Sequence, residues 1–136
     1  MKRWIGLGIG LSLMVAFCEK DPPCGPFDSL TATDSLVAQI TLNWAPPCPE
    51  AYDYDVYRSQ SRKGPWTYLC TICEQDYVTW PNVTELHWTD QIFFQQLPPM
   101  DAITYYYKVF AKPYIDTEWD KLSSNIVKGI AFAPKQ

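Results

Sequence analysis

Hydrophobic residues along most of this chain recur at every second position in short runs, and clusters of Pro, Gly, Asn and Asp separate the runs. This two-residue period is typical of β-strands, and no segment shows the wider spacing of a long amphipathic helix. Ile40, Leu42 and Trp44 alternate with polar residues, which predicts a strand with one apolar face turned toward a core. The seven strands predicted in this way, which favour an all-β sandwich, are residues 27–32, 37–44, 52–59, 66–72, 85–89, 103–112 and 122–132.

The first 17 residues have a different pattern. Lys2 and Arg3 precede an uncharged apolar run that ends at Phe17, as in a secretory signal peptide. The run is about 14 residues long and so falls short of the roughly 20 that a membrane-spanning helix needs. Residues 1–17 are therefore predicted to be a signal peptide that is removed on export.

The residues around Cys18 bear on where the mature protein resides. Val15-Ala16-Phe17-Cys18 resembles the bacterial lipobox, although Phe17 stands where that motif has a small residue. The resemblance implies a lipid on Cys18, so that residues 18–25 form a tether and the protein is anchored to the membrane without spanning it. Glu19 follows the cysteine, and an outer-membrane or cell-surface location is therefore allowed. An ordinary cleaved leader is the alternative, which would make the protein periplasmic or secreted.

Five cysteines are an odd number, and lipidation of Cys18 leaves four that can pair. Export favours disulfides. The predicted hairpin of the first two strands brings Cys24 near Cys48, while the pairing among Cys24, Cys48, Cys70 and Cys73 stays open among three connectivities. Cys70-Thr-Ile-Cys73 also fits a thiol-disulfide or zinc-binding role, but such redox motifs begin at a helix N-terminus and this segment is predicted to be a strand.

Several motifs in the predicted strands carry a further resemblance. Residues 40–47 place Trp44 at the end of the second strand, residues 88–90 read Trp-Thr-Asp, and residues 105–111 read Tyr-Tyr-Tyr-Lys-Val-Phe-Ala. In order and spacing, over residues 26–132, these motifs resemble bacterial fibronectin type III domains. The resemblance implies a seven-stranded fibronectin type III (immunoglobulin-like) β-sandwich over residues 26–133, with Trp44 in the core. It also implies that Tyr105 lies at a strand corner, where its hydroxyl bonds back to the chain.

Charge and side-chain chemistry narrow the function. Without the leader, nine basic residues face fifteen acidic ones, a net charge of −6, which argues against a nucleic-acid partner. His87 is the only histidine, and no nucleophile motif accompanies it, so the chain is predicted not to be an enzyme and to need neither a cofactor nor a metal.

The remaining hypothesis is a non-catalytic cell-envelope lipoprotein that acts as a protein-binding or structural module, its partner being another envelope or extracellular protein. The alternative is an exported thiol-disulfide or metal-binding protein that uses the Cys70–Cys73 pair. Two surfaces are candidates for contact. One is an unusually apolar connection with Phe93, Phe94, Leu97 and Met100, which either binds a partner or folds back as a lid on the core. The other is a carbohydrate-binding surface built from Trp66, Trp80 or Trp119.

Overall fold

A computed structural model describes residues 26–47, 52–73, 85–113 and 122–135 of the chain. The predicted signal peptide (1–17) and tether (18–25) lie outside the described residues. Extended structure dominates the described part, and a single short 3-10 turn occurs there, at Phe94–Gln96. The strands are β1 (Thr31–Ala32), β2 (Leu36–Val37), β3 (Gln39–Trp44), β4 (Tyr52–Ser59), β5 (Thr67–Cys73), β6 (Leu86–Gln91), β7 (Ala102–Pro113), β8 (Leu122–Ser123) and β9 (Val127–Phe132).

These strands form two facing sheets. The smaller sheet has the order β1-β3-β6, and the larger has the order β2-β9-β7-β4-β5, with β8 also paired to β7. Neighbouring strands run antiparallel except β2 and β9, which run parallel. This is the order of an immunoglobulin-like β-sandwich of the fibronectin type III kind, and the predicted fold class is confirmed.

The core lies between the sheets, where alternate residues of each strand meet. In β3 the burial alternates as the sequence pattern predicts, and Trp44 is only 1% exposed. Its ring packs at 5.4 Å from the ring of Tyr54 in the opposite sheet. Other side chains with no exposed surface are Ile40, Leu42, Val56, Leu86, Tyr107, Val109 and Ala111.

Two of the seven predicted strands are each divided in the structure, which gives nine strand segments in the described residues. The first division is at Ala38, whose φ of 55° is left-handed. Before it β2 pairs with β9 in the larger sheet, and after it β3 pairs in the smaller sheet. The crossing is held by Ala38 N donating to Phe132 O at 2.8 Å and Ile92 N donating to Ala38 O at 2.9 Å.

The second division falls between β8 and β9, at polar residues that serve neighbouring backbone. The Ser124 hydroxyl accepts a hydrogen bond from Val109 N at 2.8 Å, while Ser124 N donates to Val109 O at 2.8 Å. Asn125 accepts from Leu30 N at 3.1 Å and donates to Leu30 O at 3.0 Å, so one side-chain amide substitutes for a strand partner. Ser124 and Asn125 therefore bind the chain between β8 and β9 to β7 and to Leu30, which precedes β1 of the smaller sheet.

The two longer connections in the described residues lie at the same end of the sandwich, which we call the distal end. Residues 60–66 follow β4, whose last residue Ser59 pairs with Tyr106, and residues 92–101 lead into β7 at Ala102. Ala133 N donates to Asp101 O at 2.9 Å and closes the same end. The described chain begins at the other end, where Ala45 N, just after β3, donates to Ser29 Oγ at 2.9 Å.

Candidate binding surfaces

The outer side of the larger sheet carries a group of aromatic and basic side chains that we call the aromatic face. In β7, Tyr106, Lys108 and Phe110 point outward because Tyr105, Tyr107 and Val109 are buried on the inner side. The neighbouring strands β4 and β5 add Tyr57 and Tyr68 in direct register. The aromatic face consists of Tyr57, Trp66, Tyr68, Tyr106, Lys108 and Phe110.

The rings of the aromatic face stand at steep angles to one another. Tyr57 lies centrally, 5.7 Å from Tyr68 at 66° and 5.4 Å from Phe110 at 88°, in edge-to-face contacts. Such pairs are favourable arrangements of aromatic quadrupoles. Tyr68 is 51% exposed, so the cluster presents a mixture of ring edges and ring faces to solvent.

Two cations are seated among these rings. The ammonium of Lys108 lies 4.5 Å from the ring centre of Trp66 and 5.1 Å from that of Phe110. The guanidinium of Arg62 lies 5.6 Å from the ring of Tyr106. Cation–π contacts of this length contribute about 0.5–1 kcal/mol at exposed sites. They hold both charges against the sheet.

The turn between β4 and β5 places Trp66 on this face. Gly64 has a φ of 90°, and its N donates to Ser61 O at 3.0 Å. A Cβ atom at Gly64 would lie 2.9 Å from Trp66 Cδ1, so glycine is needed both for the backbone angle and for the close approach of the ring. The Gly64–Pro65 peptide bond is cis.

A polar network lies beneath the rim of the aromatic face nearer to the start of the described chain. Asp55 is 5% exposed, accepts a hydrogen bond from the Thr71 hydroxyl at 2.6 Å and pairs with Lys112 Nζ at 3.2 Å. Thr71 Oγ1 is also 2.5 Å from Tyr68 OH. The Lys112 charge is therefore neutralised within the fold, and the hydroxyl of Tyr68 is oriented.

At the distal end, a second polar cluster joins the two sheets. Asp90 of β6 accepts hydrogen bonds from Arg58 Nη1 of β4 at 2.8 Å and from the Tyr107 hydroxyl of β7 at 2.7 Å. Burial, followed by the nearby Asp90 carboxylate, raises the pKa of Tyr107 far above the ordinary range, so its hydroxyl stays a donor. Burial lowers the pKa of Arg58, but the hydrogen bond and charge of Asp90 outweigh it and raise the pKa overall.

Tyr105 lies beside this cluster but differs from the expected corner residue. Its ring is buried as predicted, and the Arg58 guanidinium lies 4.3 Å from the ring centre. Within the described ranges, however, its hydroxyl has no hydrogen-bond partner, and Tyr107 makes the polar contact instead. Two pockets of about 340 and 450 Å³ flank Arg58 and Tyr105, one toward Phe93 and Leu97 and the other toward the turn at Gly64.

The apolar connection at the distal end divides into buried and exposed parts. Phe94 and Leu97 pack against the core, and Ile92 is 6% exposed within it. Met100 is half-buried, whereas Phe93 is 56% exposed. The segment thus covers the core with most of its apolar side chains, and Phe93 is the one predicted partner-binding residue whose ring is largely in solvent.

The Cys70-Thr-Ile-Cys73 motif lies in β5, where three residues of separation put the two side chains on opposite faces of the strand. Cys70 pairs with Val56 and packs toward the core, whereas Cys73 pairs with Asp53. Cys70 carries a free thiol and packs against the core, while two of its three candidate disulfide partners, Cys24 and Cys48, lie outside the described residues. Burial raises the pKa of this thiol. Cys18, Cys24 and Cys48 lie outside the described residues.

Other candidate residues are placed as follows. His87 is exposed on β6, opposite Asn43 of β3. In the part of the chain that the structure describes, no three His, Cys, Asp or Glu side chains are grouped closely enough to hold a metal ion. No helix among the described residues is long and apolar enough to span a membrane. Trp66 belongs to the aromatic face, whereas Trp80 and Trp119 lie outside the described residues.

The sequence prediction missed most of the aromatic face, although a signal for it was present. Residues 105–110 are aromatic or aliphatic at five of six positions, so both sides of β7 carry large side chains. A strand buried on one side needs only alternate apolar positions. The surplus rings at Tyr106 and Phe110 therefore indicated that the solvent side of this strand also carries large aromatic side chains.

No protein-family model matches the sequence, and no curated protein matches it at a significant level. Two crystal structures of the pectate lyase Pel3 from Pectobacterium carotovorum are similar in fold. One has a TM-score of 0.51 at 19% identity and the other 0.50 at 20% identity, each over 74% of this chain. This chain spans about a quarter of the length of those chains, 25% and 26% respectively.

A Fn3-like protein from Clostridium thermocellum is also similar, with a TM-score of 0.45 and 24% identity over 84% of this chain and 97% of that one. At 19% and 20% identity, the similarity to the pectate lyase structures shows a shared fold and nothing more. The strand order and pairing show that the described chain is a β-sandwich of the fibronectin type III kind.

Proposed function

We propose that this chain is a non-catalytic module of the bacterial cell envelope, anchored through a lipid on Cys18, that binds a protein partner through its aromatic face. The observation that carries the proposal is the cluster of the exposed Tyr68 with the half-buried Tyr57 and Phe110, beside the cations of Lys108 and Arg62. Tyrosine, tryptophan and arginine are the residues that most often dominate binding energy at protein interfaces.

Burial of this surface by a partner is also favourable on general grounds. Large aromatic side chains on the solvent side of a sheet keep apolar area in water, at a cost of about 25 cal/mol per Å². The rings are already held by mutual contacts and by the Asp55–Thr71 network, so little conformational entropy is lost when they are covered. A rigid sheet presents them at fixed positions.

The alternative, an exported thiol-disulfide or metal-binding protein, receives less support. Cys70 faces the core and Cys73 the other side of β5, so the two cannot act together on one substrate without rearrangement of the strand. Burial also raises the pKa of the Cys70 thiol, which disfavours the reactive thiolate.

The experiment is capture of the neighbouring protein by crosslinking in intact cells, followed by comparison of two single variants. Tyr68→Ser removes a 51% exposed ring from the aromatic face, and Phe93→Ser removes a 56% exposed ring from the distal end. We expect Tyr68→Ser to lose the neighbour and Phe93→Ser to retain it. The opposite result would move the interface to the distal end, and loss in neither variant would contradict both surfaces.

The anchor is tested in the same cells with Cys18→Ser. We expect this variant to leave the membrane fraction and appear in the soluble exported fraction, because serine at position 18 cannot carry the lipid that anchors the protein. A mature wild-type N-terminus without lipid, measured by mass spectrometry, would contradict the anchored location while leaving the interface proposal intact.

A further inference from the structure

The charges on and beside the aromatic face are separated by sign. Toward the distal end its outward cations are Arg62, Lys108 and Lys128, the last of which is exposed and pairs in register with Tyr106. The outward-facing acids of the described strands in this sheet, Asp53 and Asp55, lie at the other end, near Lys112. Arg62, Lys108 and Lys128 form no ion pair among the described residues, and the exposed Asp101 precedes β7 at the same end. The formal net charge of the whole chain is −4.

Lys108 is the cation best placed to act at an interface. Its ammonium is held between Trp66 at 4.5 Å and Phe110 at 5.1 Å, and no acidic side chain is paired with it among the described residues. An ammonium has three donors, and ring faces satisfy its charge without accepting strong hydrogen bonds. A carboxylate brought to this surface therefore gains a positioned partner surrounded by apolar area.

The ring geometry indicates which kind of acidic molecule fits. A sugar chain stacks best on ring faces that lie in one plane, but Tyr57 meets Tyr68 and Phe110 at 66° and 88°. The face of Trp66 is in addition covered by the Lys108 ammonium. Aliphatic and aromatic side chains of a polypeptide can pack against ring edges and ring faces that stand at such angles, whereas a pyranose chair stacks its C–H face on a single ring plane.

We infer that the aromatic face binds an acidic polypeptide segment, with Lys108 and Arg62 pairing to its carboxylates and the tyrosine rings contacting its apolar side chains. This inference rests on the proposed function and names the chemistry of the partner. The acidic remainder of the chain repels such a segment elsewhere, so that charge both attracts the partner and fixes the face on which it docks.

The test uses the purified exported protein and amide chemical shifts in solution, with two synthetic probes. One is a glutamate- and leucine-rich peptide, and the other is a polyuronate, a polysaccharide that carries the same carboxylate charge. We expect the peptide to shift the amides of β4, β5 and β7 and the polyuronate to bind more weakly. Peptide affinity should fall steeply from about 0.01 M to about 0.15 M salt, over which the Debye length falls from about 30 to about 8 Å.

Lys108→Gln and Arg62→Gln should each weaken binding of the peptide by about two- to fivefold, as expected for charge pairs at exposed or half-buried sites. Lys135→Gln, which changes an exposed lysine near the chain terminus, is the matched control and should bind as the wild type does. Stronger binding of the polyuronate than of the peptide would overturn the inference in favour of an acidic saccharide. Peptide binding that is insensitive to salt and to Lys108→Gln would overturn it as well.

The two proposals fail differently. If the neighbour captured in cells depends on Tyr68 but neither probe shifts the strands of the larger sheet, the acidic-peptide inference is wrong and the binding module stands. If Tyr68→Ser leaves the captured neighbour unchanged, the proposed interface itself is wrong, whatever the probes do.

Discussion

At the scale of single residues, position within the strand decides chemical behaviour more than residue type does. Tyr57 and Tyr107 are both tyrosines of central strands, yet one is half-buried among the rings of the outer side and the other is fully buried and donates to Asp90. Cys70 and Cys73 differ in the same way across β5. A strand side chain faces core or solvent according to its parity, and that sets the dielectric around it.

The Cys70 thiol should react slowly with iodoacetamide at neutral pH in the native protein. Burial, assisted by the charges of Asp90 and Asp55, raises its pKa, so the thiolate fraction is low and grows only as the pH rises toward that value. Site-resolved mass spectrometry of alkylated peptides, with and without denaturant and without reductant, measures this. Rapid alkylation of the native protein would contradict a thiol that packs against the core. A Cys70 that stays unreactive in denaturant without reductant would contradict a free thiol.

At the scale of elements, the connection between β6 and β7 behaves as a lid with one protruding ring. Ile92 and Leu97 anchor it on the core, and the turn at Phe94–Gln96 is closed by Gln96 N donating to Phe93 O at 3.0 Å. The sequence allowed either a lid on the core or a partner-binding segment. Phe94 and Leu97 form part of a lid, because turning them toward solvent would open a cavity over the core.

Phe94→Ser and Phe93→Ser form a matched pair for this element. We expect Phe94→Ser to lower the free energy of unfolding by about 2–3 kcal/mol, through lost burial and a new cavity. Phe93→Ser should change it by less than about 0.5 kcal/mol, since its ring is mostly in solvent. Urea unfolding of both variants measures the difference. Equal destabilisation would mean that Phe93 also packs against the fold.

At the scale of the whole molecule, the apolar core joins the two sheets, and polar side chains connect them at two places: Asn125 at Leu30 and Asp90 at the distal end. Asp90 reaches from the smaller sheet to Arg58 and Tyr107 of the larger sheet. A buried carboxylate with two such donors is satisfied, whereas removal of one donor leaves part of its charge uncompensated. The hydrogen bonds of Asp90 therefore fix the position of the smaller sheet relative to the larger one beside the two distal pockets.

Tyr107→Phe should reduce stability at neutral pH by about 1.5–3 kcal/mol, the usual value of a hydrogen bond to a charged group. The folded pKa of Tyr107 is raised, so its contribution is fully present below the unfolded value of about 10 and declines as the pH rises above it, where the unfolded chain ionises. The variant should lose less stability than the wild type over that alkaline range. Tyr68→Phe, which removes an exposed phenol, is the control. Parallel alkaline losses in the wild type and Tyr107→Phe would contradict the raised pKa.

The class of the fold and most of its core follow from the spacing of apolar residues along the chain. Alternating apolar positions locate β3, β4 and β7 almost to the residue, because a two-residue period has one solution when one face must be buried. Trp44 could be assigned to the core on this ground alone. The surplus of large side chains in β7 also carried information about the aromatic face, since Tyr106 and Phe110 stand at the solvent positions of that strand.

The points where strands change sheet, and the identity of the side chains that meet, depend on contacts between residues far apart in the sequence. Ala38 carries no turn signal, and its left-handed conformation follows from hydrogen bonds to Phe132 and Ile92, which are distant in sequence. The contacts of Lys108 with Trp66, and of Asp90 with Arg58, likewise join residues from different strands. Periodicity records which face a side chain occupies, but the neighbour across the sheet or across the core depends on pairing and register, which long-range packing sets.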